Sequence, residues 1–217
     1  MQSQKKSLVN MKQVMTYILL VLLSIQAVYP IVWMVGGSLK SSSELYTNIW
    51  GLPEQVQISN YSSAWRDGYI GKYLFNSILV TIIGMAILII AASLTAYALA
   101  RLSFRGKNML FYLILATMMI PPDIMTIPLF TFVKNLGILN KVYTLPTIYA
   151  AGGYGMAVFL LRGYFMGIPR ELEEAMSLDG ASKLQIFIRL ILPIAAPGFI
   201  TVLVTQSMSM WNELYLH

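Results

Sequence analysis

The stretch EEAMSLDGASKLQIFIRLILP, Glu173–Pro193, places a compact group of polar residues in an otherwise apolar chain. It begins with two acids, carries Gly180 near its centre and ends at a proline. Glycine permits a left-handed backbone turn and proline removes a backbone donor, so both mark breaks in helical structure. The stretch therefore predicts two helical segments joined by a sharp turn.

The composition of the chain is that of a membrane protein. Of its 217 residues, 57% are hydrophobic and only 11% are charged, whereas a soluble domain carries about 25% charged residues. The net charge is +6, and in membrane proteins such an excess belongs to loops that face anionic lipid. Without a basic stripe, it does not indicate nucleic-acid binding. We therefore expect a lipid bilayer as the surroundings and no nucleic acid as a partner.

The residue types also exclude several kinds of catalytic site. The chain has no cysteine, and its one histidine is the last residue, His217. Disulfides, thiolate nucleophiles and histidine-based metal sites or triads are therefore excluded within this chain. The nearest match to a phosphate-binding loop, Gly36–Ser41, lacks the glycine that must precede the lysine. We expect no catalytic, metal-binding or cofactor-binding residues.

Runs without charge place the membrane spans. A helix needs about 20 apolar residues to cross the hydrocarbon core. Four sufficiently long charge-free runs are bounded by Lys12 and Lys40, Lys72 and Arg101, Lys141 and Arg162, and Arg189 and Glu213. A fifth, shorter run ends at Pro121-Pro122 and can continue only as a broken helix. The sequence thus predicts five spans, at about residues 14–37, 73–99, 108–130, 143–161 and 190–212.

The distribution of basic residues predicts the orientation. With the N-terminus in the cytoplasm, ten of the fifteen lysines and arginines lie inside, as the positive-inside rule requires. The short loop Arg101–Lys107 holds three of them and no acid. The first apolar run is too long for a cleaved signal peptide and is expected to remain as an anchor.

Local signals define the loop between the fourth and fifth spans. Pro169 suits a helix start, and Glu171, Glu173 and Glu174 are expected in or near the first turn, where negative charge suits the helix dipole. Gly180 ends this helix, and Ser182 with Gln185 forms a capping-box pattern for the next one.

Leu172, Ala175 and Met176 recur at helical spacing and predict a thin apolar face. Pro193 is expected to bend the second helix, because the carbonyl of Arg189 loses its partner. On these residues alone, the loop is either a solvated connector or a docking element for a cytoplasmic protein.

Glu174-Ala175-Met176, followed by Gly180 and by Leu190-x-Leu192-Pro193, resembles the EAA loop of binding-protein-dependent ABC importer permeases. Met176 replaces the second alanine of that pattern, and Leu190 replaces an isoleucine. Further segments resemble the maltose-permease-like, carbohydrate-uptake subfamily: Ser38–Lys40 with Glu44, Asn60-Tyr61, Asn76-Ser77, Ala96–Gly106, Ile120-Pro121, Ile168–Glu174 and Trp211–Glu213.

The resemblance implies an all-α, polytopic transmembrane helical bundle of the type I ABC importer kind. The whole chain, 1–217, would be one permease domain, with 168–193 as its cytoplasmic coupling loop. Such permeases usually have six spans, so the sixth is expected to be missing from this chain. The location implied is a bacterial-type cytoplasmic membrane.

The resemblance also implies the partners and the mechanism. ABC-type ATPase subunits would use ATP and Mg on the cytoplasmic side, a second permease subunit would complete the path, and an extracytoplasmic solute-binding protein would deliver a carbohydrate. ATPase closure would move the loop and switch the spans as rigid bodies. The coupling residues implied are Glu174, Ala175, Met176, Asp179, Gly180, Ala181 and Pro193.

The substrate path is less clearly marked. Most polar residues within spans make interhelical hydrogen bonds. The candidates for the path are Asn76, Tyr97, Ser207, Trp211 and Asn212. Small residues on the fourth span, at Ala151/Gly155 and Gly153/Ala157, predict a close helix contact.

Two alternative functions remain open at this stage. One is an ABC permease for a non-sugar solute. The other is a secondary transporter or a structural membrane subunit. A secondary carrier usually has acids at the bilayer midplane, and none of the predicted spans carries one there.

Overall fold

The protein is all helical in a computed structural model that describes residues 11–212, without the side chains of residues 122 and 123. No strand occurs in that range. Its α-helices are α1 (Met11–Ser38), α2 (Glu44–Thr47), α3 (Ser59–Asp67), α4 (Ile70–Arg101), α5 (Lys107–Thr117), α6 (Pro122–Asn135), α7 (Thr144–Met166), α8 (Arg170–Leu178), α9 (Lys183–Ile186), α10 (Leu192–Ile194) and α11 (Ala196–Trp211). A π-helical turn, Phe187–Ile191, joins α9 to α10.

Three of the described helices, α1, α4 and α7, are long and apolar enough to cross a membrane. A fourth crossing results if the segment Lys183–Ile194 and α11, which meet at 72°, form one bent span. These four coincide with the four long charge-free runs. The total of five spans stays a prediction.

The segment of the third predicted span, 108–130, forms two helices. Helix α5 ends at Thr117 and α6 begins at Pro122. Pro121 between them has the extended backbone angles φ −61° and ψ 132°, which interrupt the helical ladder. The break expected at the paired prolines is therefore present, although each half is shorter than a membrane crossing.

The described residues divide into two compact units, one that ends at Lys72 and one that begins at Tyr73. In the first, a polar network holds the segment that follows α1. The amide of Asn60 donates to the carbonyls of Ser38 (3.0 Å) and Lys40 (2.8 Å). The buried Lys40 ammonium donates to the Asn48 carbonyl, and the Glu44 carboxylate accepts the backbone N–H of Glu54 at 2.8 Å. Three residues of the family-like pattern, Lys40, Glu44 and Asn60, thus fix this segment.

The second unit has its core where α4, α7 and α11 meet. The fully buried residues on α4 are Leu88, Ala92, Ala96 and Leu99, which recur at spacings of three and four and so share one face. They pack in one cluster with residues of α7, of α11 and of the segment between them. The alanines on α4 bring neighbouring helix backbones close together.

Small residues on α7 make the close contacts that their spacing predicts. A Cβ at Gly155 would lie 2.8 Å from Cγ of Met118 and 3.2 Å from the carbonyl oxygen of Ile114, at the end of α5. A Cβ at Gly153 would lie 3.3 Å from Cδ2 of Leu88 on α4. Both contacts lie within this chain, so these glycines serve its own packing.

The contact at Gly155 can be tested against a matched site on the same helix. Gly155→Leu should lower the free energy of unfolding by about 1–3 kcal/mol, because the added atoms overlap with α5. Apart from its chain neighbours and the backbone of its own helix turn, a Cβ at Gly152 would meet no atom within 4 Å, so Gly152→Leu should not destabilise the protein. The measurement is SDS-induced unfolding in detergent micelles, followed by circular dichroism. Equal losses in the two variants would contradict the packing assigned to Gly155.

Candidate coupling loop

Helix α8 begins where the sequence predicts. Pro169 precedes its first residue with an extended backbone, φ −57° and ψ 135°, which allows the chain to leave α7 and enter a new helix. Glu171 and Glu173 lie in the first turn, near the positive end of the helix dipole. The start of α8 is therefore set by local sequence.

The turn at Gly180 closes α8 with a Schellman motif. Gly180 has φ +82°, a left-handed conformation that a side chain disfavours. Its N–H donates to the Ser177 carbonyl at 3.1 Å, and the N–H of Ala181 donates to the Met176 carbonyl at 3.0 Å. These two bonds define the motif and satisfy carbonyls at the helix end. Backbone geometry thus favours glycine strongly at this position.

The capping box at the start of α9 is present. The N–H of Gln185 donates to Oγ of Ser182 at 3.3 Å, and the N–H of Ser182 donates to Oε1 of Gln185 at 2.8 Å. Two backbone donors at the helix start are satisfied by this exchange.

The bend in the second helix lies later than predicted. The π-helical turn Phe187–Ile191 changes the hydrogen-bond register ahead of Pro193, which accommodates the missing donor. The chain breaks instead at Ala195, with φ −84° and ψ 9°. Pro197 follows in the first turn of α11 and has no N–H to offer the carbonyl of Pro193. The prediction of the bend at Pro193 was therefore two residues early.

An ion pair that the sequence did not reveal attaches α8 to the bundle. Nε of Arg101, the last residue of α4, lies 2.9 Å from Oε1 of Glu173. Neither atom has another hydrogen-bond partner among the described residues. The Arg101 side chain is 5% exposed and that of Glu173 is 11% exposed. The two charges are therefore buried, and buried charges usually need further hydrogen bonds to offset the loss of water.

Arg101 also binds the end of α7. Its Nη2 donates to the carbonyls of Phe165 and Ile168, which lie at the negative end of the α7 dipole. One guanidinium therefore joins the end of α4, the end of α7 and the first turn of α8. The sequence places Arg101 directly after an apolar run, which is a clue that its charge needs a partner. Which of the three neighbouring acids on α8 pairs with it could be seen only in the fold.

The outward side of the loop carries unpartnered apolar residues. Leu178 is 90% exposed, Leu184 60% and Leu172 42%. Among the predicted coupling residues, Glu174, Ala175, Asp179, Gly180 and Pro193 are exposed, while Met176 and Ala181 are half-buried against the core. The thin apolar face is thus divided, because Leu172 and Ala175 point outward while Met176 points inward.

Comparison with known proteins gives the family. Residues 89–216 match the model of the family "Binding-protein-dependent transport system inner membrane component". This match spans more than half of the chain. The chain belongs to this family. It is therefore a membrane component of a transport system and not a catalytic subunit.

Individual permeases and a solved transporter agree with this assignment. The chain is 34% identical to "Probable ABC transporter permease protein YurM" of Bacillus subtilis, over 91% of this chain and 65% of that protein. It is 32% identical to "Diacetylchitobiose uptake system permease protein NgcG" of Streptomyces coelicolor, over 93% of this chain and 67% of that protein. It thus spans about two thirds of the length of these two relatives.

The crystal structure of a bacterial ABC transporter involved in the import of the acidic polysaccharide alginate has the same fold. The TM-score is 0.83 at 26% identity, over 98% of this chain and 74% of that one. The expected all-α permease fold is confirmed.

The five residues proposed for the substrate path are not gathered at one site. Asn76 and Tyr97 lie about 30 Å apart along α4, at 1.5 Å per residue. Tyr97 is buried and donates to the Lys183 carbonyl at 3.3 Å, so it packs beneath the candidate coupling loop. Trp211 and Asn212 are exposed, and Ser207 donates to the Val204 carbonyl of its own helix. Glu213, which completes their motif, lies outside the described residues. The path stays a prediction.

The ion pair yields a second prediction. Glu173→Gln removes the carboxylate and leaves the Arg101 charge buried and uncompensated, which costs about 3–5 kcal/mol. Glu174→Gln makes the same change at the exposed neighbouring position and should stay within about 0.5 kcal/mol of the parent. SDS-induced unfolding of the three proteins measures the difference. A Glu173→Gln variant as stable as Glu174→Gln would show that the pair does not hold α8.

Proposed function

We propose that this chain is the permease subunit of an ATP-driven, binding-protein-dependent carbohydrate importer and that α8 is its coupling helix. The observation that carries the proposal is the geometry of α8. Its backbone is fixed at both ends and its inner side is tied to α4 and α7 by Arg101, while Leu172, Ala175 and Leu178 are left exposed. A helix with one side anchored to its own bundle and apolar residues exposed on the other side suits the groove of a partner protein.

The partners follow from this role. The sequence carries no complete phosphate-binding loop pattern, so we assign the use of ATP and Mg to ATPase subunits that receive α8. A second permease subunit completes the path, and an extracytoplasmic solute-binding protein delivers the solute. The basic loop Arg101–Lys107 and the start of α8 line one cavity and so lie at the same end of the second unit. The positive-inside rule favours the cytoplasm for that end and, from the sequence alone, for the N-terminus.

The solute class is supported by the relatives. NgcG is named for diacetylchitobiose uptake, and the solved transporter is described as importing alginate, so both act on carbohydrates. A di- or oligosaccharide is therefore the class proposed for this chain.

A transport assay tests the solute class. Intact source cells would be offered labelled diacetylchitobiose, alginate oligosaccharides and a set of other di- to tetrasaccharides, with labelled amino acids and phosphate for comparison. Deleting the gene for this chain should abolish ATP-dependent uptake of at least one saccharide and leave amino acid and phosphate uptake unchanged. Loss of amino acid or phosphate uptake alone would assign the permease to another solute.

The coupling role can be tested with two glycines in the same backbone state. Gly180 and Gly137 both have positive φ, +82° and +68°, and both donate their N–H to the carbonyl three residues before. Proline at either position forces φ to about −65° and removes that donor. Gly180→Pro should reduce uptake by the native complex more than tenfold while its ATPase remains active. Gly137→Pro, outside the loop, should keep at least half of the parent uptake.

A charge reversal provides an independent check. Glu174→Lys alters the exposed side of α8 without touching Arg101, and it should also uncouple ATP hydrolysis from uptake while the permease remains in the membrane. Parental uptake in both Gly180→Pro and Glu174→Lys would disprove the docking role of α8.

A further inference from the structure

A cationic cavity lies beside the coupling loop. It has a volume of about 470 Å³ and is formed by the end of α4, the connection to α5 and the start of α8. Its basic residues are Arg101, Lys107 and Arg170, and no aspartate or glutamate is among the residues, all within the described range, that line it. Since Arg101 is neutralised by Glu173, the uncompensated charges are those of Lys107 and Arg170.

The ammonium group of Lys107 has more donors than the two protein carbonyls that it contacts. Its Nζ donates to the Leu102 carbonyl at 2.9 Å and to the Ala100 carbonyl at 3.4 Å. An ammonium group has three donors, so one is left for a ligand. Arg170 is exposed and has no ion-pair partner in the described part of the chain.

A third cation increases the positive potential near the cavity. The Arg162 guanidinium lies 4.0 Å from the centre of the Phe111 ring, and its Nε donates to the Leu99 carbonyl at 3.4 Å. Burial, followed by repulsion from Arg162 and Arg170, lowers the pKa of Lys107. Cations held together in this way gain stability when an anion binds between them.

An apolar surface adjoins the cavity. Met109 lines the cavity and is 68% exposed, and Leu113, one turn further along α5, is 55% exposed. Tyr112 next to it is 66% exposed. An anion that enters this cavity is thus beside a strip that can accept hydrocarbon, which a free phosphate ion does not use.

We propose that this cavity binds the headgroup of an anionic phospholipid, with the phosphate between Lys107 and Arg170 and the acyl chains along Met109 and Leu113. Basic pockets between membrane helices hold anionic headgroups by this chemistry. Arg170 is the first residue of α8, so the bound lipid contacts the coupling helix directly. The site does not depend on which solute the permease carries.

Native mass spectrometry of the purified chain in detergent tests the site. Phosphatidylglycerol and phosphatidylcholine with the same acyl chains are titrated separately, and sn-glycerol 3-phosphate is added as a soluble competitor. Phosphatidylglycerol should remain bound at concentrations at which phosphatidylcholine does not. Millimolar glycerol 3-phosphate should not displace it. Equal retention of both lipids, or displacement by the soluble phosphate, would overturn the proposal.

Substitutions separate this cavity from general attraction between basic loops and lipid. Lys107→Gln with Arg170→Gln should weaken phosphatidylglycerol binding about 25-fold, at about fivefold for each cation. Lys134→Gln with Lys141→Gln removes the same charge from two exposed lysines elsewhere and should change binding less than twofold.

A variant that keeps both positive charges serves as the control for misfolding. Lys107→Arg with Arg170→Lys should keep phosphatidylglycerol binding within about threefold of the parent, with an unchanged circular dichroism spectrum. If the glutamine pair at the cavity weakens binding no more than the pair at positions 134 and 141, the cavity is not a lipid site.

Discussion

The arrangement of the coupling loop depends on the buried ion pair between Arg101 and Glu173. Two charges removed from water cost several kcal/mol each, and their attraction offsets this only when the remaining donors are also satisfied. Here the same guanidinium donates to the carbonyls of Phe165 and Ile168. Because those carbonyls lie at the end of α7, one side chain compensates a charge and a helix terminus together.

This pair determines which side of α8 faces outward. Glu173 is fixed toward the bundle, so Glu174, one residue on and rotated by about 100° in a helix of 3.6 residues per turn, must lie on the exposed side. Leu178, one turn after Glu174, is exposed for the same reason. A buried ion pair is weak evidence for stability but can specify one geometry. In this protein it specifies which side of α8 is exposed, and that is the side that we propose docks on a partner.

The backbone of the loop could be predicted because its signals are local. Pro169, Gly180 and the Ser182–Gln185 pair each act within four residues, and each has the predicted role. The ion pair joins residues 72 positions apart, and Glu173 and Glu174 are chemically the same, so only packing distinguishes them. The bend at Ala195 was missed because a π-helical turn ahead of Pro193 changed the register on which the prediction depended.

Because α8 is short, it depends on its capping interactions and on its ion pair with Arg101 for stability. A nine-residue helix is too short to be stable alone in water, since isolated helices need about 12–15 residues even with favourable sequences. Its order therefore comes from its ends and from its contact with the bundle. Helix α8 places Glu173 against Arg101, Arg170 at the cationic cavity and Leu172 toward solvent. In the coupling role that we propose, a force applied to the outer side of α8 would therefore pass through Glu173 and Arg101 to the ends of α4 and α7.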